Sequence, residues 1–455
     1  MDKKVHLIAI GGSAMHNMAL ALAEKGFVVT GSDDEINEPS KSRLKNAGLL
    51  PEKIGWYPEK ISASLDAVIL GMHAREDNPE LLKAKELGVK IYSYPEYIYE
   101  ATKDKTRIVI GGSHGKTTIT AMILHVMKQL GTETDFMVGA QLEGFSTMVK
   151  FSAEAKYAVI EGDEYLASPI DRRPKFHLYH PNIAIISGIA WDHINVFPTF
   201  ENYVDQFRKF IQLIEPKGHL IYCREDEVLR NLCESTSSEE LIKLSYGIPE
   251  HTINDGLTSI ILNGHAYPLL VFGKHNLMNL EAARIACNGI GISDDIFYTA
   301  IQSFKGAAKR LELVYKAPGF NFYKDFAHSP SKLRATTDAV KQQFPDRKVI
   351  ACMELHTFSS LTEEFLLQYS DSMNLADEAI VYFNPQTIEH KKLKPITTEQ
   401  VIKCFNRADL MVFTSSLELK NYLKQKNHQN SVLLMMSSGN FDGLDFSSLA
   451  NELSF

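Results

Sequence analysis

Short apolar runs alternate with amphipathic segments of helical length along almost the whole chain. The first run, at 5–10, ends at Gly11-Gly12-Ser13, a helical pattern follows to about Lys25, and a second run at 27–30 leads into 31–33. A strand, a helix and a second strand in this order are typical of a βαβ unit, in which parallel strands need a crossover helix. The sequence therefore predicts the α/β fold class.

The same alternation begins again twice further along the chain. The second alternating segment begins with a predicted strand at 106–110. It continues with a helix to about 129, strands at 156–160 and 183–187, and helices near 276–288 and 294–304. The third begins after Arg310, with strands near 321–323, 348–352, 379–383, 410–413 and 432–436. At about 100 to 200 residues per domain, 455 residues suggest two to four domains, and we expect three.

Composition and charge limit the class of protein. The chain is 44% hydrophobic and 23% charged, with a net charge of -8, which argues against a general nucleic-acid binder because such a protein needs a basic surface. The five cysteines are scattered and form no C-x-x-C pair, so we expect neither a disulfide framework nor a zinc site. The N-terminus does not resemble a signal peptide, and no apolar run approaches the roughly 20 residues that span a bilayer. These features predict a cytoplasmic protein that does not enter a membrane.

The strongest local signal is the segment GGSHGKTT at 111–118, which lies between a predicted strand and a predicted helix. A glycine loop in this place turns successive backbone N–H groups toward a phosphate chain, and the helix N-terminus adds positive potential. Lys116 can then reach the β and γ phosphates, and the Thr117 hydroxyl suits Mg2+. The loop is one residue short of the strict G-x4-G-K-[ST] template, because position 110 is Ile.

Two further predicted strands end in residues that can bind a metal ion. Glu161-Gly162-Asp163-Glu164 follows one strand, and Asp192-His193 follows another. Mg2+ bound to phosphate needs a hard oxygen ligand from a neighbouring strand end, and Glu161 is the first carboxylate available. Taken alone, the acidic cluster also fits a solvated loop, and His193 also fits a structural hydrogen-bonding residue.

Three other segments allow both a ligand-binding and a structural interpretation. The loop at 11–16 lacks the G-x-G-x-x-G spacing of a dinucleotide site, but a mononucleotide or nucleotide-sugar remains possible, with Asp33 as a ligand or a solvated cap. Asn276 opens a helix and is either a cap or a partner of adenine. Lys309-Arg310 and the strand end at 325–328 are ordinary surface charges unless a ligand is present.

Together these segments resemble the Mur ligase family of ATP-dependent amide ligases that build peptidoglycan precursors. GGSHGKTT resembles the family's P-loop, which itself lacks the strict spacing. The other matching motifs follow in the family's order: EGDEY at 161–165, WDH at 191–193, HNLMNLEAA at 275–283, KRLE at 309–312 and DFAHSP at 325–330. The resemblance covers essentially the whole chain and implies three α/β domains: UDP-binding at 1–103, ATP-binding at 104–309 and amino-substrate-binding at 310–455.

The resemblance also implies roles for individual residues. Lys116, Glu161 and His193 are the expected catalytic residues, with Thr117 and Glu161 holding one Mg2+ and His193 a second. The expected ATP-binding residues are Gly112, Ser113, His114, Gly115, Lys116, Thr117, Thr118, Asn276, Asn279, Arg310 and Asp325. Those expected along the UDP-sugar are Gly11, Ser13, Ser32, Asp33 and His73, with the turn at 78–80.

Within the family, the chain resembles the branch that joins the murein tripeptide L-Ala-γ-D-Glu-meso-diaminopimelate to UDP-N-acetylmuramate. DRRPKF at 171–176, DFAH and MSSGNFDG at 436–443 suggest this branch, whereas Leu166, Lys324, Ser329 and the segment ELHT at 354–357 depart from its pattern. The implied reaction activates the lactyl carboxylate as an acyl phosphate, which the amine then attacks. The alternative is the ligase that adds L-alanine alone, and a P-loop switch without ligation is the rival of another class.

One expectation concerns a lysine. Several relatives carry a carbamylated lysine on the helix after the D-H motif, and alignment through Asp192-His193 and Tyr203 places Phe207 at that position. Lys209 lies two residues further on, which is a rotation of about 200 degrees on a helix. Lys209 is therefore expected to point away from the side that Phe207 faces.

Overall fold

The computed structural model describes residues 3–142, 144–191, 196–236, 240–306 and 310–453. It divides into two compact units, one made of 1–249 with 277–301 and the other of 250–276 with 302–455. Both contain parallel sheets with helices between the strands, which confirms the predicted α/β fold class. The predicted boundaries near 103 and 309 remain predictions. In the described ranges, no helix is long and apolar enough to cross a membrane.

The first unit opens with a four-stranded parallel sheet in the order β2-β1-β3-β4. Its elements are β1 (Lys4–Ile8), α1 (Ser13–Glu24), β2 (Val28–Ser32), α2 (Ser40–Asn46), β3 (Ala67–Leu70), α3 (Pro79–Glu86), β4 (Ile91–Ser93) and α4 (Tyr94–Thr102). The expected opening βαβ unit is present, with bounds shifted by a few residues. Parallel pairing brings the carboxyl ends of β1, β2 and β3 to one edge of the sheet.

A seven-stranded sheet follows in the order β11-β10-β9-β5-β8-β6-β7, parallel except for the pair β6–β7. Its strands are β5 (Thr106–Gly111), β6 (Thr134–Met137), β7 (Val149–Lys150), β8 (Tyr157–Glu161), β9 (Ile183–Ile186), β10 (His219–Cys223) and β11 (Ile242–Tyr246). Its helices are α5 (Lys116–Gln129), α6 (Phe200–Gln212), α7 (Glu227–Ser235), α8 (Lys274–Asn288) and α9 (Asp294–Ile301). Because β5 lies between β8 and β9, the loops after these three strands are neighbours.

Helix α6 is strongly amphipathic. Thr199 caps its first turn by accepting a hydrogen bond from the Asn202 backbone N–H at 3.2 Å. Tyr203, Phe207 and Phe210 lie on one face, at i, i+4 and i+7, and all three are fully buried. This packing holds Tyr203 against the loops at the carboxyl ends of the central strands.

The second unit contains two sheets. The smaller is an antiparallel meander of β12 (His251–Asn254), β13 (Leu257–Leu262) and β14 (His265–Leu269), which the sequence pattern did not indicate. The larger has six strands in the order β15-β16-β20-β17-β18-β19, antiparallel only at β15–β16. Its strands are β15 (Glu312–Ala317), β16 (Phe320–Asp325), β17 (Lys348–Glu354), β18 (Glu378–Tyr382), β19 (Met411–Phe413) and β20 (Ser431–Met436). Its helices are α10 (Pro330–Gln343), α11 (Glu363–Leu366), α12 (Pro385–His390), α13 (Thr398–Phe405), α14 (Ser416–Gln425) and α15 (Phe446–Glu452).

The central strands of the larger sheet are buried on both faces. In β17, Val349 and Ala351 belong to one apolar cluster, and Ile350 and Cys352 belong to the cluster on the opposite face. Burial on both faces explains the continuous apolar runs from which these strands were predicted. The smaller sheet is tied to this domain by a 2.8 Å hydrogen bond from Thr258 Oγ1 to Gln343 Oε1.

Candidate active site

The loop between β5 and α5 depends on its glycines. Gly112 and Gly115 have φ angles of 117° and 78°, which side-chain-bearing residues rarely adopt. A Cβ atom on Gly112 would lie 2.4 Å from Ser187 Oγ, and one on Gly115 would lie 2.4 Å from Asn279 Oδ1. The loop is therefore closely packed between the end of β9 and helix α8, as a phosphate-binding loop requires.

Lys116 is the first residue of α5, and its side chain folds back along the loop. Lys116 Nζ lies 2.7 Å from the carbonyl oxygen of Gly112 and 2.9 Å from Glu164 Oε2. The ammonium group is held at the mouth of the loop, next to the backbone amides that a phosphate would meet.

Thr117 and Glu161, the two residues predicted to hold one Mg2+, are hydrogen-bonded to each other. Thr117 Oγ1 donates to Glu161 Oε1 at 2.9 Å, and the backbone N–H of Gly139 donates to Glu161 Oε2, also at 2.9 Å. Burial raises the pKa of the Glu161 carboxyl above its ordinary value, although both hydrogen bonds act in the opposite direction. A divalent cation beside this carboxylate would favour its ionised form.

The donor set fits Mg2+, which prefers oxygen ligands and retains water and phosphate oxygens in its coordination shell. Within the described ranges, no group of three or more His, Cys, Asp or Glu residues could hold a metal ion by itself. A hydroxyl in the first turn of α5 and a carboxylate at the end of the neighbouring strand β8 suit an ion whose remaining ligands would be nucleotide and water oxygens. His193, the expected ligand of a second ion, and Asp192 lie outside the described residues.

The remaining loop residues contribute mostly through their backbone. Ser113 is tied to the segment after β9: its Oγ lies 2.8 Å from the carbonyl oxygen of Ala190 and accepts from the Ala190 N–H at 2.6 Å. The carbonyl oxygen of His114 accepts a hydrogen bond from Ser187 Oγ. Thr118 lies in the first turn of α5 and is half-buried.

Of the two asparagines expected near adenine, Asn279 lies against the loop, at Gly115. Asn276 lies in the first turn of α8, where its Nδ2 donates to the carbonyl oxygen of Phe272 at 2.9 Å. This bond supports a local structural role for Asn276, and its expected contact with adenine remains a prediction.

Arg310 and Asp325 lie together in the second unit. The Asp325 carboxylate accepts the backbone N–H of Leu311 at 2.7 Å and that of Ala327 at 2.8 Å. The Arg310 guanidinium lies 5.7 Å from the centre of the Phe326 ring. Asp325 therefore fixes the chain next to Arg310, and the expected contacts of both residues with nucleotide remain predictions.

The residues expected along the UDP-sugar lie at one edge of the first sheet. Gly11 and Ser13 follow β1, Ser32 and Asp33 lie at the end of β2, and His73 follows β3. The Asp33 carboxylate accepts the Gly11 N–H at 2.6 Å, so it closes the loop after β1. Burial raises the pKa of Asp33, against the hydrogen bonds that it accepts from backbone N–H groups. Ser13 and His73 are exposed.

Glu80, in the turn expected along the sugar, points into the domain instead. Its carboxylate lies 3.1 Å from His6 Nε2 and accepts the Tyr57 N–H at 2.7 Å, with both His6 and Glu80 fully buried. Burial alone would raise the pKa of Glu80, but hydrogen bonds, above all the one with His6, lower it below its ordinary value. Glu80 is therefore held inside this domain by His6 and by the Tyr57 backbone.

Sequence reasoning missed two residues next to the loop. Glu164 was noted only as part of an acidic cluster, and Tyr203 only as an alignment point. Tyr203 Oη donates to Glu164 Oε1 at 3.1 Å and lies 3.3 Å from Ser113 Oγ. The amphipathic pattern of α6 is a signal that could have indicated the burial of Tyr203, but no sequence signal shows which loop its hydroxyl reaches.

Phe207 and Lys209 lie on different sides of α6. Phe207 is fully buried and packs edge-on against the rings of Phe176 and Tyr203. Lys209 has 53% of its side chain exposed and pairs with Asp205 at 2.9 Å. Lys209 thus points away from the side that Phe207 faces, as expected.

We therefore expect the change Lys209→Ala to leave turnover within about twofold, since the exposed Lys209 side chain pairs with Asp205 on a different side of α6 from Phe207. The parent protein should also keep its turnover in buffer free of carbon dioxide. Turnover is measured in both experiments as ADP release. Inactivity of the Lys209→Ala variant that a short carboxylic acid restores would instead identify Lys209 as a carbamate.

Three family models cover most of the chain. They are described as the Mur ligase family catalytic domain, matching 4–106, the Mur ligase middle domain, matching 110–287, and the Mur ligase glutamate ligase domain, matching 309–439. A curated relative, the UDP-N-acetylmuramate–L-alanine ligase of Caldicellulosiruptor bescii, is 30% identical over 88% of this chain and 87% of its own. The enzyme of the same name from Clostridium acetobutylicum is 28% identical over 96% of both chains.

Solved structures show the same fold. The UDP-N-acetylmuramate–alanine ligase of Thermotoga maritima aligns over 97% of this chain and 96% of its own, with a TM-score of 0.66 at 22% identity. A murein peptide ligase from Psychrobacter arcticus aligns over 99% of this chain and 98% of its own, with a TM-score of 0.60 at 21% identity.

Proposed function

Because this chain belongs to the Mur ligase family of ATP-dependent amide ligases, we propose that it joins an amine to the lactyl carboxylate of UDP-N-acetylmuramate. The observation that carries the proposal is the placement of Lys116, Thr117 and Glu161 around one phosphate loop. UDP-N-acetylmuramate is also common to the names of the L-alanine ligases and of a tripeptide ligase from Neisseria meningitidis.

The residues of the loop suit phosphoryl transfer from ATP to a carboxylate. The backbone amides of the loop would bind the phosphate chain, and the Lys116 ammonium would neutralise charge that builds on the transferred group. Thr117 and Glu161 would hold Mg2+, which supplies further positive charge at the phosphates. The resulting acyl phosphate would react with the amine and release phosphate. An α-amine has an ordinary pKa of roughly 8, so a useful fraction is already neutral near pH 7.5.

L-Alanine is the first candidate for the amine. The curated relatives at 28% to 30% identity are named as L-alanine ligases. One motif that suggested the tripeptide branch, DRRPKF, makes contacts within the fold: Lys175 pairs with Asp163 at 2.6 Å, and Phe176 is fully buried. These residues support the ATP-binding domain, so they do not require a peptide substrate.

The murein tripeptide is the second candidate, supported by the motif resemblance and by the likeness of the fold to murein peptide ligases. In the second unit, Glu354 is buried and accepts hydrogen bonds from Ser437 Oγ and from the Phe441 N–H, the latter at 2.8 Å. His356 Nδ1 lies 3.6 Å from the other carboxylate oxygen of Glu354 and remains partly exposed. This imidazole is a candidate contact for either amine substrate.

The deciding experiment compares the two amines at equal ATP, Mg2+ and UDP-N-acetylmuramate. We expect L-alanine to be used with at least about tenfold higher kcat/KM than the tripeptide, a difference of about 1.4 kcal/mol in transition-state binding. Mass spectrometry of the UDP-linked product identifies the amine that was added. Higher kcat/KM with the tripeptide would establish the second candidate, and product with neither amine would contradict the proposed function.

A further inference from the structure

The P-loop lysine of this protein has an internal counter-ion. Lys116 Nζ lies 2.9 Å from Glu164 Oε2, and Tyr203 Oη donates to the other oxygen of the same carboxylate at 3.1 Å. The side chain of Glu164 is 1% exposed and that of Lys116 is 17% exposed. Shielding from water makes the Coulomb attraction between these two charges stronger than in an exposed ion pair.

The carboxylates of the segment 161–164 have separate partners. Glu161 is engaged by Thr117 and by the Gly139 N–H. Asp163 pairs with Lys175 at 2.6 Å and accepts the Tyr165 N–H at 3.1 Å. Glu164 is therefore the carboxylate of this segment that faces the ammonium group of Lys116.

This pairing changes the electrostatics of nucleotide binding. An ammonium has three N–H donors, and the Gly112 carbonyl oxygen and Glu164 accept from two of them, which directs the lysine along the loop. The carboxylate also cancels most of the positive charge that Lys116 would offer to a phosphate chain. A nucleotide without a metal ion would bring its negative charge close to Glu164, and the two would repel each other.

We propose that Glu164, held in place by Tyr203, neutralises Lys116 in the nucleotide-free protein and thereby makes nucleotide binding depend on the divalent cation. Glu164 is then a positioning residue that acts through Lys116, and Tyr203 fixes Glu164. The proposal rests on the nucleotide site of the proposed function but not on the identity of the sugar or the amine.

The test measures the Kd of ADP by titration calorimetry, once with Mg2+ and once with a chelator. For Glu164→Gln, which keeps the shape and removes the charge, we expect metal-free ADP to bind at least about fivefold more tightly than to the parent protein. For Tyr203→Phe, a smaller change in the same direction is expected. The control is Glu201→Gln, which removes an exposed charge at the start of α6 and should leave both Kd values unchanged.

Unchanged or weaker binding of metal-free ADP to both the Glu164→Gln and Tyr203→Phe variants would overturn the proposal. If the Glu164→Gln variant lost affinity for Mg2+ and did not bind metal-free ADP more tightly, the proposal would also be overturned, and Glu164 would be assigned as a ligand of the metal ion. Failure of the ligase reaction with every amine would leave the expected ADP result intact, whereas absence of nucleotide binding to the parent protein would contradict both this proposal and the proposed function.

Discussion

Replacing Lys116 with alanine is expected to lower ligase turnover by about a hundredfold or more, since loss of one charge-stabilising donor in a shielded site costs roughly 3 kcal/mol. The ammonium group lies at the mouth of the phosphate loop, 2.7 Å from the Gly112 carbonyl oxygen, and alanine has neither its length nor its charge. Turnover is measured as ADP release at saturating substrates.

The same variant should bind UDP-N-acetylmuramate with little change in Kd. The residues expected to hold the UDP moiety, Ser32 and Asp33 among them, belong to the first sheet and not to the phosphate loop. Lys128→Ala, at the exposed end of α5, is the matched control and should retain turnover. Calorimetry in which affinity for the UDP-sugar falls as far as turnover would argue against separate sites for the two ligands.

Replacing Glu161 with alanine should raise the Mg2+ concentration needed for half-maximal turnover by about tenfold or more, because a direct oxygen ligand is lost. The Thr117 hydroxyl and the Gly139 N–H would also lose their 2.9 Å partner, so the loop itself would be less well ordered. The measurement is a Mg2+ titration of turnover at fixed ATP.

Two further variants make the Glu161 result specific. Glu161→Asp keeps the charge and should restore part of the Mg2+ affinity. Glu154→Ala, exposed just before β8 begins, removes a carboxylate at the opposite end of that strand and should leave the titration unchanged. An unchanged midpoint in the Glu161→Ala variant would place the metal ion elsewhere.

The parts of the fold that could be predicted from sequence are those with strong local signals. Strands such as β17 are buried on both faces and therefore appear as continuous apolar runs. The meander β12–β14 escaped prediction because its strands are short and two of them, β12 and β14, are largely exposed, so no long apolar run marks them.

In the candidate site, too, some features could be predicted from the sequence and others could not. The glycine loop could be predicted because Gly112 and Gly115 are needed for backbone conformations that other residues avoid. The partners of the carboxylates could not be predicted, because Glu161, Asp163 and Glu164 are nearly adjacent in sequence. The pleat of β8 and the loop after it decide which side chain each carboxylate contacts. Glu80 illustrates the same limit, because its burial against His6 depends on how helix α3 packs against strand β1, which is distant in sequence.

The central claim, that the carboxylate of UDP-N-acetylmuramate attacks ATP, is tested most directly by an isotope transfer. The protein is supplied with ATP, Mg2+, L-alanine and UDP-N-acetylmuramate that carries 18O in its lactyl carboxylate, and the released phosphate is analysed by mass spectrometry. Reaction through an acyl phosphate predicts that the phosphate acquires a labelled oxygen from the carboxylate. Unlabelled phosphate, released whether or not UDP-N-acetylmuramate is present, would show that water attacks the nucleotide and would contradict the ligase function.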